Sequence, residues 1–198
     1  MMQSNNSLVE IPTVENLLLS GGAIGADYKF GKYAYQAGHS VVHWSFDGHR
    51  SECPPQHIVK LSSEHLMAAD DAVKRANKSL ERRYPTKNES TNNLLRRNYY
   101  QVRWSSMVYA VSHLENNGMV SGGTGWAVQI YMDRFIFDGG YPEDCHLYLY
   151  DQIKNQWLLW RGSWTNIEKP PRPSGIYAGI GTRKLTDQGE KAIASLYE

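Results

Sequence analysis

Short apolar runs alternate with amphipathic segments along the chain, and this pattern predicts alternating strands and helices. Residues 14–20 (VENLLLS) and 41–45 (VVHWS) are predicted as buried strands, with a helix over 26–37 between them. A longer helix is predicted over 62–83, where the next residues are Tyr84 and a proline. Its apolar stripe consists of Leu66, Ala69, Val73, Ala76 and Leu80.

The same alternation continues through the middle of the chain. The pattern predicts a loop over 87–93, a helix over 94–105, a strand over 107–114 and a helix over 126–134. Residues 135–140 (FIFDGG) are predicted to form a short segment with strand character.

The last fifty residues follow a different pattern. Two aromatic-rich runs within 145–160 predict a β-hairpin, and 168–174 (EKPPRPS) is typical of a linker. A further strand, glycine turn and helix are predicted over 175–198. Strands that alternate with helices indicate an α/β fold with a mostly parallel sheet, helices on both faces, and the hairpin at an edge.

Composition limits the alternatives without choosing a function. The 198 residues suit a single domain spanning 1–198, and a net charge of +1 implies no particular partner. Cys53 and Cys145 lack metal-ligand spacing and are expected to be unpaired. We expect no membrane span and no signal segment, hence a cytoplasmic location, which is the host cytoplasm if a phage encodes the chain.

Glycine-rich turns follow three of the predicted strands, at 20–25, 121–125 and 179–183. In an open α/β sheet, ligands bind beyond the carboxyl ends of the strands, and glycine lets the backbone approach them closely. The helix that follows such a turn offers free N–H groups to an anion. The three turns therefore favour a phosphate-bearing ligand, although each alone fits a tight strand-to-helix connection. None of them forms a P-loop or a complete G-x-G-x-x-G motif.

Four segments together resemble the SLOG superfamily, which includes the LOG cytokinin-activating enzymes, the DNA-processing protein A fold and signal sensors of bacterial immune systems. These segments are SGGAIGAD (20–27), RRNYYQV (96–102), SGGTGWAVQIYMD (121–133) and GIGTRKLTDQGEKAI (179–193). The resemblance extends to small bacteriophage SLOG proteins and implies a Rossmann-like nucleotide-binding fold. In the usual order the G-[ST]-R unit comes first, whereas here it is last. The chain therefore resembles a circular permutant, in which residues 176–180 should pair beside 17–19.

The resemblance also bears on catalysis. In LOG-type hydrolases the segment that 121–129 resembles has the motif PGG-x-GT-x-x-E. In this sequence, Gln129 stands at the glutamate position and Trp126 at the threonine position. An amide cannot act as a carboxylate acid or base. Asp27 and Asp133 remain as candidate carboxylates, and Asp27 suits either a ribose contact or a favourable place at a helix start.

Candidate binding residues come from the turns and from two aromatic segments. Trp44 and Tyr100 are candidates for stacking on a base, with core packing as the alternative for Trp44. Arg183 and Arg97 are candidate phosphate partners. We expect no metal and no cofactor. The full candidate set is Ser20, Gly21, Gly22, Ala23, Gly25, Asp27, Trp44, Arg97, Asn98, Tyr100, Ser121, Gly122, Gly123, Thr124, Gly125, Gly181, Thr182 and Arg183.

Positive charge is concentrated in residues 74–103, where nine Lys/Arg and two acids give a net charge of +7. A solvated helix face, the wall of an anion pocket and a nucleic-acid track all fit this stretch. Three functions therefore stay open. The first is non-catalytic binding, or sequestration, of a nucleotide-derived immune signal of ADP-ribose type or cyclic type by a phage anti-defence protein. The second is a LOG-type N-glycosidase or phosphoribohydrolase, and the third is single-stranded DNA binding.

The aromatic run near the hairpin also predicts assembly. Exposed apolar patches usually mark interfaces. We expect a homodimer or higher oligomer that buries Trp157, Leu158, Trp160 and Trp164.

Overall fold

A single eight-stranded sheet organises the protein, whose computed structural model describes residues 13–137 and 140–198. The strands lie in the order β3-β2-β1-β8-β4-β5-β6-β7. Neighbours from β3 to β5 are parallel, and β6 and β7 are antiparallel. The strands are β1 (Asn16–Ser20), β2 (Ser40–Phe46), β3 (Ile58–Leu61), β4 (Met107–Ser112), β5 (His146–Asp151), β6 (Gln156–Trp160), β7 (Trp164–Ile167) and β8 (Gly175–Gly181).

Within the described residues, six α-helices cover the two faces of this sheet. They are α1 (Ala26–Gln36), α2 (Ser63–Ala68), α3 (Asp70–Leu80), α4 (Glu89–Val102), α5 (Gly122–Ile136) and α6 (Asp187–Ser195). This arrangement confirms the predicted α/β, Rossmann-like fold with an added hairpin. The short edge strands β3 and β7 were not predicted, and the extent of the domain over 1–198 stays a prediction.

The last strand lies in the centre of the sheet, as the permuted order predicted. β8 pairs in parallel with β1 on one side, where Leu18 is opposite Tyr177, and with β4 on the other. The chain runs from β1 to β2 on one side of β8 and from β4 to β5 on the other. The strand order therefore reverses around β8, which is the position where open α/β sheets bind ligands.

Alternation along the strands divides the core between the two faces. Leu18 packs with Phe30 of α1 and Ile193 of α6, whereas its neighbours Leu17 and Leu19 pack on the opposite face. That opposite face carries α2, α3, α4 and α5. Burial on both faces explains why the strands are continuous apolar runs.

The predicted helix over 62–83 is wrong as one unit. It is divided at Ala69, whose N–H donates to the Leu66 carbonyl only three residues back, so the turn is tighter than an α-helix. Asp70 then begins α3 and accepts a 2.9 Å hydrogen bond from Arg96. The apolar stripe continues through the break, so periodicity could not reveal it. The second helix ends at Leu80, before Tyr84, because Glu81 adopts a left-handed conformation.

Two other helices begin earlier than predicted. The loop over 87–93 is wrong for most of its length, because the Asn88 side chain accepts the Thr91 N–H and α4 begins at Glu89. Helix α5 begins at Gly122 instead of residue 126 and continues through Ile136. The expected strand character of 135–140 is therefore wrong at its start, and residues 138–139 lie outside the described residues.

The hairpin does not expose the aromatic patch that suggested an oligomer. Trp157 and Leu158 are buried, on opposite faces of the sheet. Trp160 and Trp164 are half-buried and pack edge to face at 5.3 Å. The hairpin side chains thus complete this chain's own core, and an oligomeric state stays a prediction without that patch as support.

Two smaller sequence expectations concern cysteines and membrane segments. Cys53 and Cys145 are buried and unpaired. No helix among residues 13–137 and 140–198 is long and apolar enough to span a membrane.

Gly179 sets the distance between β8 and α1, because a Cβ added there would lie 2.4 Å from Cγ of Phe30. We therefore expect Gly179→Ala to lower the free energy of unfolding by about 1–3 kcal/mol through overpacking. Urea unfolding followed by circular dichroism measures this cost. The cost should shrink in a Phe30→Ala background, and equal costs in both backgrounds would contradict the proposed contact.

Candidate binding cleft

A cleft of about 560 Å³ lies at the reversal of the strand order, beyond the carboxyl ends of β8 and β4. The turn after β8, the start of α5, one side of α4 and the segment after α3 line it. We call it the first cleft. Its volume is in the range of clefts that hold small-molecule ligands.

The start of α5 contributes unpaired backbone amides to this cleft. Ser121 is the N-cap residue, but its side chain makes no capping hydrogen bond. Within the described residues, the amides of Gly122, Gly123 and Thr124 donate to no backbone acceptor outside the helix, and the first turn of a helix supplies none. These amides and the positive end of the helix dipole form a site suited to an anion.

Two side chains hold the start of α5 in place. Arg82 donates from Nη1 to the Gly122 carbonyl at 2.8 Å and from Nη2 to the Val120 carbonyl at 2.9 Å. Asn98 Nδ2 donates to the Gly123 carbonyl at 3.1 Å. Both side chains bind carbonyl oxygens, so the amides of the same turn stay available.

A buried polar cluster forms the floor of the first cleft. The Asp27 carboxylate accepts the Gly181 N–H at 2.9 Å and lies 3.9 Å from Nη2 of Arg97. Arg97 also donates to the Gly21 carbonyl, and Gln101 Nε2 donates to Asp27 at 3.4 Å. This cluster joins the first glycine turn, α4 and the end of β8.

Burial dominates the electrostatics of this cluster. It raises the pKa of Asp27, against the opposing effect of the Arg97 guanidinium. It also lowers the pKa of Arg97, although Asp27 opposes that shift. Nε of Arg97 is buried and has no hydrogen-bond partner within the described residues. The described protein groups therefore satisfy only part of the hydrogen-bonding capacity of the Arg97 guanidinium.

Cations surround the rest of the first cleft. Five of its lining residues are arginine or lysine, and Asp27 is the single acidic residue among the described lining. Arg183 is exposed and forms no hydrogen bond or ion pair through its side chain within the described chain. The arginine and lysine residues of the lining are Arg82, Arg83, Arg97, Arg183 and Lys184.

Most of the predicted binding residues meet in this cleft. The ones that line it come from all three glycine turns and from α4. They are Ala23, Asp27, Arg97, Asn98, Ser121, Gly122, Gly123, Thr124, Gly181, Thr182 and Arg183.

Five other predicted residues support the turns from behind. Ser20 donates to the Gly179 carbonyl at 2.7 Å, and the carbonyls of Gly21 and Gly22 accept from Arg97 and Ser51. Gly25 is the N-cap residue of α1 with φ 94°, and a Cβ at Gly125 would lie 2.0 Å from the Val120 carbonyl oxygen. These positions shape the backbone and are not cleft-lining residues.

The predicted base-stacking roles of Trp44 and Tyr100 do not fit the structure. Both side chains are 1% exposed and pack against each other at 5.8 Å in the core beneath α4. The Tyr100 hydroxyl donates to the His65 carbonyl at 2.7 Å. Core packing, the alternative for Trp44, explains these aromatic side chains.

Sequence reasoning missed several residues of the cleft that make specific contacts, among them Gln101 and Arg82. Gln101 lies four residues after Arg97, a spacing that places both on one helix face and could have identified it. Arg82 lies in the basic stretch over 74–103, but its bonds to the 120–122 backbone depend on the tertiary fold.

Neither the LOG glutamate position nor a metal cluster contributes to the first cleft. Gln129 lies outside the lining and donates to Asp133 at 2.7 Å. Among the described residues, no group of His, Cys, Asp and Glu has an arrangement suited to a metal ion.

Comparison with known proteins gives one distant structural likeness. No family model matches the chain, and no curated protein matches it. A crystal structure from Syntrophus aciditrophicus SB, described as a "Putative molybdenum carrier protein", is 14% identical with a TM-score of 0.49. The match covers 92% of this chain and 94% of that chain. At this identity and TM-score, the likeness assigns neither a function nor a ligand.

The buried pair predicts a pH-dependent effect of removing Arg97. Arg97→Met should lower the free energy of unfolding by about 3 kcal/mol at pH 7, because it leaves the Asp27 carboxylate buried without its counter-charge. The pKa of Asp27 then rises further above its unfolded value, and stability from such a group is present at low pH and lost as the pH rises. The deficit, measured by urea unfolding at pH 4 and pH 7, should therefore be smaller at pH 4.

Asp27→Asn in the same background should restore part of this loss at pH 7. A deficit that is equal at both pH values, or no recovery in the double variant, would contradict the pairing.

Proposed function

We propose that this protein binds a phosphorylated nucleoside derivative in the first cleft and holds it without turnover. The observation that carries the proposal is the set of unpaired amides at Gly122–Thr124 in a cleft lined by five arginine and lysine residues. Phosphate oxygens accept hydrogen bonds from such amides and from the planar fork of arginine.

The supporting residues give the anion a specific place. Arg82 and Asn98 fix the carbonyls of the α5 start, so its amides remain oriented without a ligand. Arg183 contributes a cation with no protein partner among the described residues. A preorganised site of this kind binds with a smaller cost of ordering.

The finer proposal is sequestration of a nucleotide-derived immune signal, of ADP-ribose type or cyclic, by a phage anti-defence protein. It rests on the resemblance of SGGAIGAD and SGGTGWAVQIYMD to the SLOG superfamily. A tight binder without turnover suits sequestration because the ligand is removed from its receptor for as long as the complex lasts.

Binding without turnover is favoured over hydrolysis by the carboxylates near the cleft. A general acid or base has to reach the reacting group. Asp27 instead accepts hydrogen bonds from Gly181 and Gln101. Gln129, at the position of the hydrolase glutamate, lies outside the cleft lining.

Arg183→Ala should weaken ligand binding by about ten- to a hundred-fold, since a hydrogen bond to a charged group contributes roughly 1.5–3 kcal/mol. Calorimetry against ADP-ribose derivatives, cyclic dinucleotides and nucleoside monophosphates measures the change. Lys154→Ala is the matched control, because it removes one exposed cation from the β5–β6 turn that does not line the cleft.

Chromatography of each mixture then separates the three functions. Recovery of intact ligand supports binding, and release of free base would establish a hydrolase. Binding of single-stranded DNA that falls steeply with salt, without small-molecule binding, would favour the nucleic-acid alternative.

Gly123→Val tests the cleft without disturbing the turn. A Cβ at Gly123 meets no atom within 4 Å. The left-handed backbone conformation in this turn is at the neighbouring Gly122, which has φ 65°. The valine side chain should therefore occupy ligand space and reduce affinity at least about tenfold, with thermal stability unchanged. The smaller Gly123→Ala is its control, and full affinity in the valine variant would exclude this end of the cleft as the binding site.

A further inference from the structure

A second cleft, of about 800 Å³, adjoins the first one beyond the carboxyl end of β2. The segment 46–52, the first turns of α4 and the turn after β8 line it. Ala23, Leu94 and Arg183 line both clefts. The two clefts are therefore neighbouring compartments, with an unpaired cation at the boundary between them.

A fixed aromatic ring lies in the second cleft. The His49 ring stacks on Phe46 with 5.3 Å between centroids and an interplanar angle of 25°. Arg97 Nη1 donates to Nε2 of His49 at 3.3 Å, and Nδ1 is 3.0 Å from Oγ of Ser45. With Arg97 as donor, the proton of the neutral ring is on Nδ1 and faces Ser45. The ring is thus held at both nitrogens.

The charge state of this ring suits stacking. Burial, followed by the charges of Arg97 and Arg183, lowers the pKa of His49 to about 4. The ring is therefore neutral at pH 7 and presents an uncharged planar surface. Aromatic side chains of this kind stack on nucleobases with little dependence on base identity.

The second cleft also carries its own cation and is tied to the first glycine turn. Arg50 is exposed and forms no hydrogen bond or ion pair through its side chain within the described chain. Ser51 Oγ donates to the Gly22 carbonyl at 2.7 Å and accepts the Cys53 N–H at 3.2 Å. The loop that bears His49 is therefore anchored to the backbone that borders the first cleft.

We propose that the ligand has two nucleoside-sized parts, one in each cleft, joined by phosphate at Arg183, with a planar group of the second part stacked on His49. This class includes dinucleotides and ADP-ribose-type molecules that carry a second base, and excludes a mononucleotide as the preferred ligand. The inference rests on the proposed function, because the first part occupies the first cleft. Each cleft alone is large enough for one nucleoside-sized part.

The test compares 5′-AMP, NAD and cyclic di-AMP by calorimetry on the wild-type chain and two variants. His49→Gln retains a hydrogen-bonding side chain but removes the ring, and Arg50→Ala removes the cation. We expect the tighter two-part probe to bind at least about tenfold better than AMP. Each variant should reduce this ratio of affinities by about five- to a hundred-fold and should change the affinity for AMP less than about twofold. Lys154→Ala should leave all three affinities unchanged.

The other results are distinguishable. Equal affinity for AMP and both two-part probes would overturn the two-part ligand but leave the first cleft as a binding site. Equal losses for AMP and the two-part probe in both variants would also overturn it, because one small ligand would then span both clefts. Binding of none of the three probes would overturn this inference together with the proposed function.

Discussion

The hydrogen bond from the Gly181 amide to the Asp27 carboxylate joins residues 154 positions apart, and the geometry of the first cleft depends on it. It fixes the start of α1 to the end of β8. Arg97 then reaches the same carboxylate and the Gly21 carbonyl from α4. Two strand-to-helix connections and the helix α4 are thereby held around one buried charge. The Ala26 N–H, which donates to the Thr182 carbonyl at 3.0 Å, is a second polar anchor between the start of α1 and the turn that carries Arg183.

A buried carboxylate and guanidinium are costly to desolvate, and their attraction repays that cost only with good geometry and further hydrogen bonds. Here the ions are 3.9 Å apart, and Nε of Arg97 has no partner among the described residues. The hydrogen bonds and charge pairing of this cluster are consequently less complete than those of a purely structural ion pair. A bound anion in the first cleft would add negative charge near Arg97 and Arg183 and would offset part of this cost. The incomplete pairing and the proposed anion site therefore have one physical explanation.

Local signals predicted the sheet well and the contacts of the site poorly. Apolar runs and glycine turns identified β1, β2, β4 and β8, and the permuted motif order placed β8 beside β1. Burial on both faces produces these runs regardless of partners. Asp27 and Arg97 were predicted as ligand contacts, but no sequence pattern shows that each is the other's nearest counter-charge. The aromatic side chain of Trp44 suits base stacking, and its place on a buried strand suits core packing. Only its packing against Tyr100 distinguishes these two roles.

The central position of β8 has a consequence for how binding and folding are coupled. Both edges of β8 are hydrogen-bonded, to β1 and to β4, and its following turn supplies Thr182 and Arg183 to the first cleft. The cleft therefore exists only when the last strand has inserted between strands that begin at residues 16 and 107. A ligand that binds this cleft binds the folded state alone, so it stabilises the entire sheet in proportion to the logarithm of its concentration over its dissociation constant. In a chain of this order, ligand affinity and insertion of the C-terminal strand are parts of the same equilibrium.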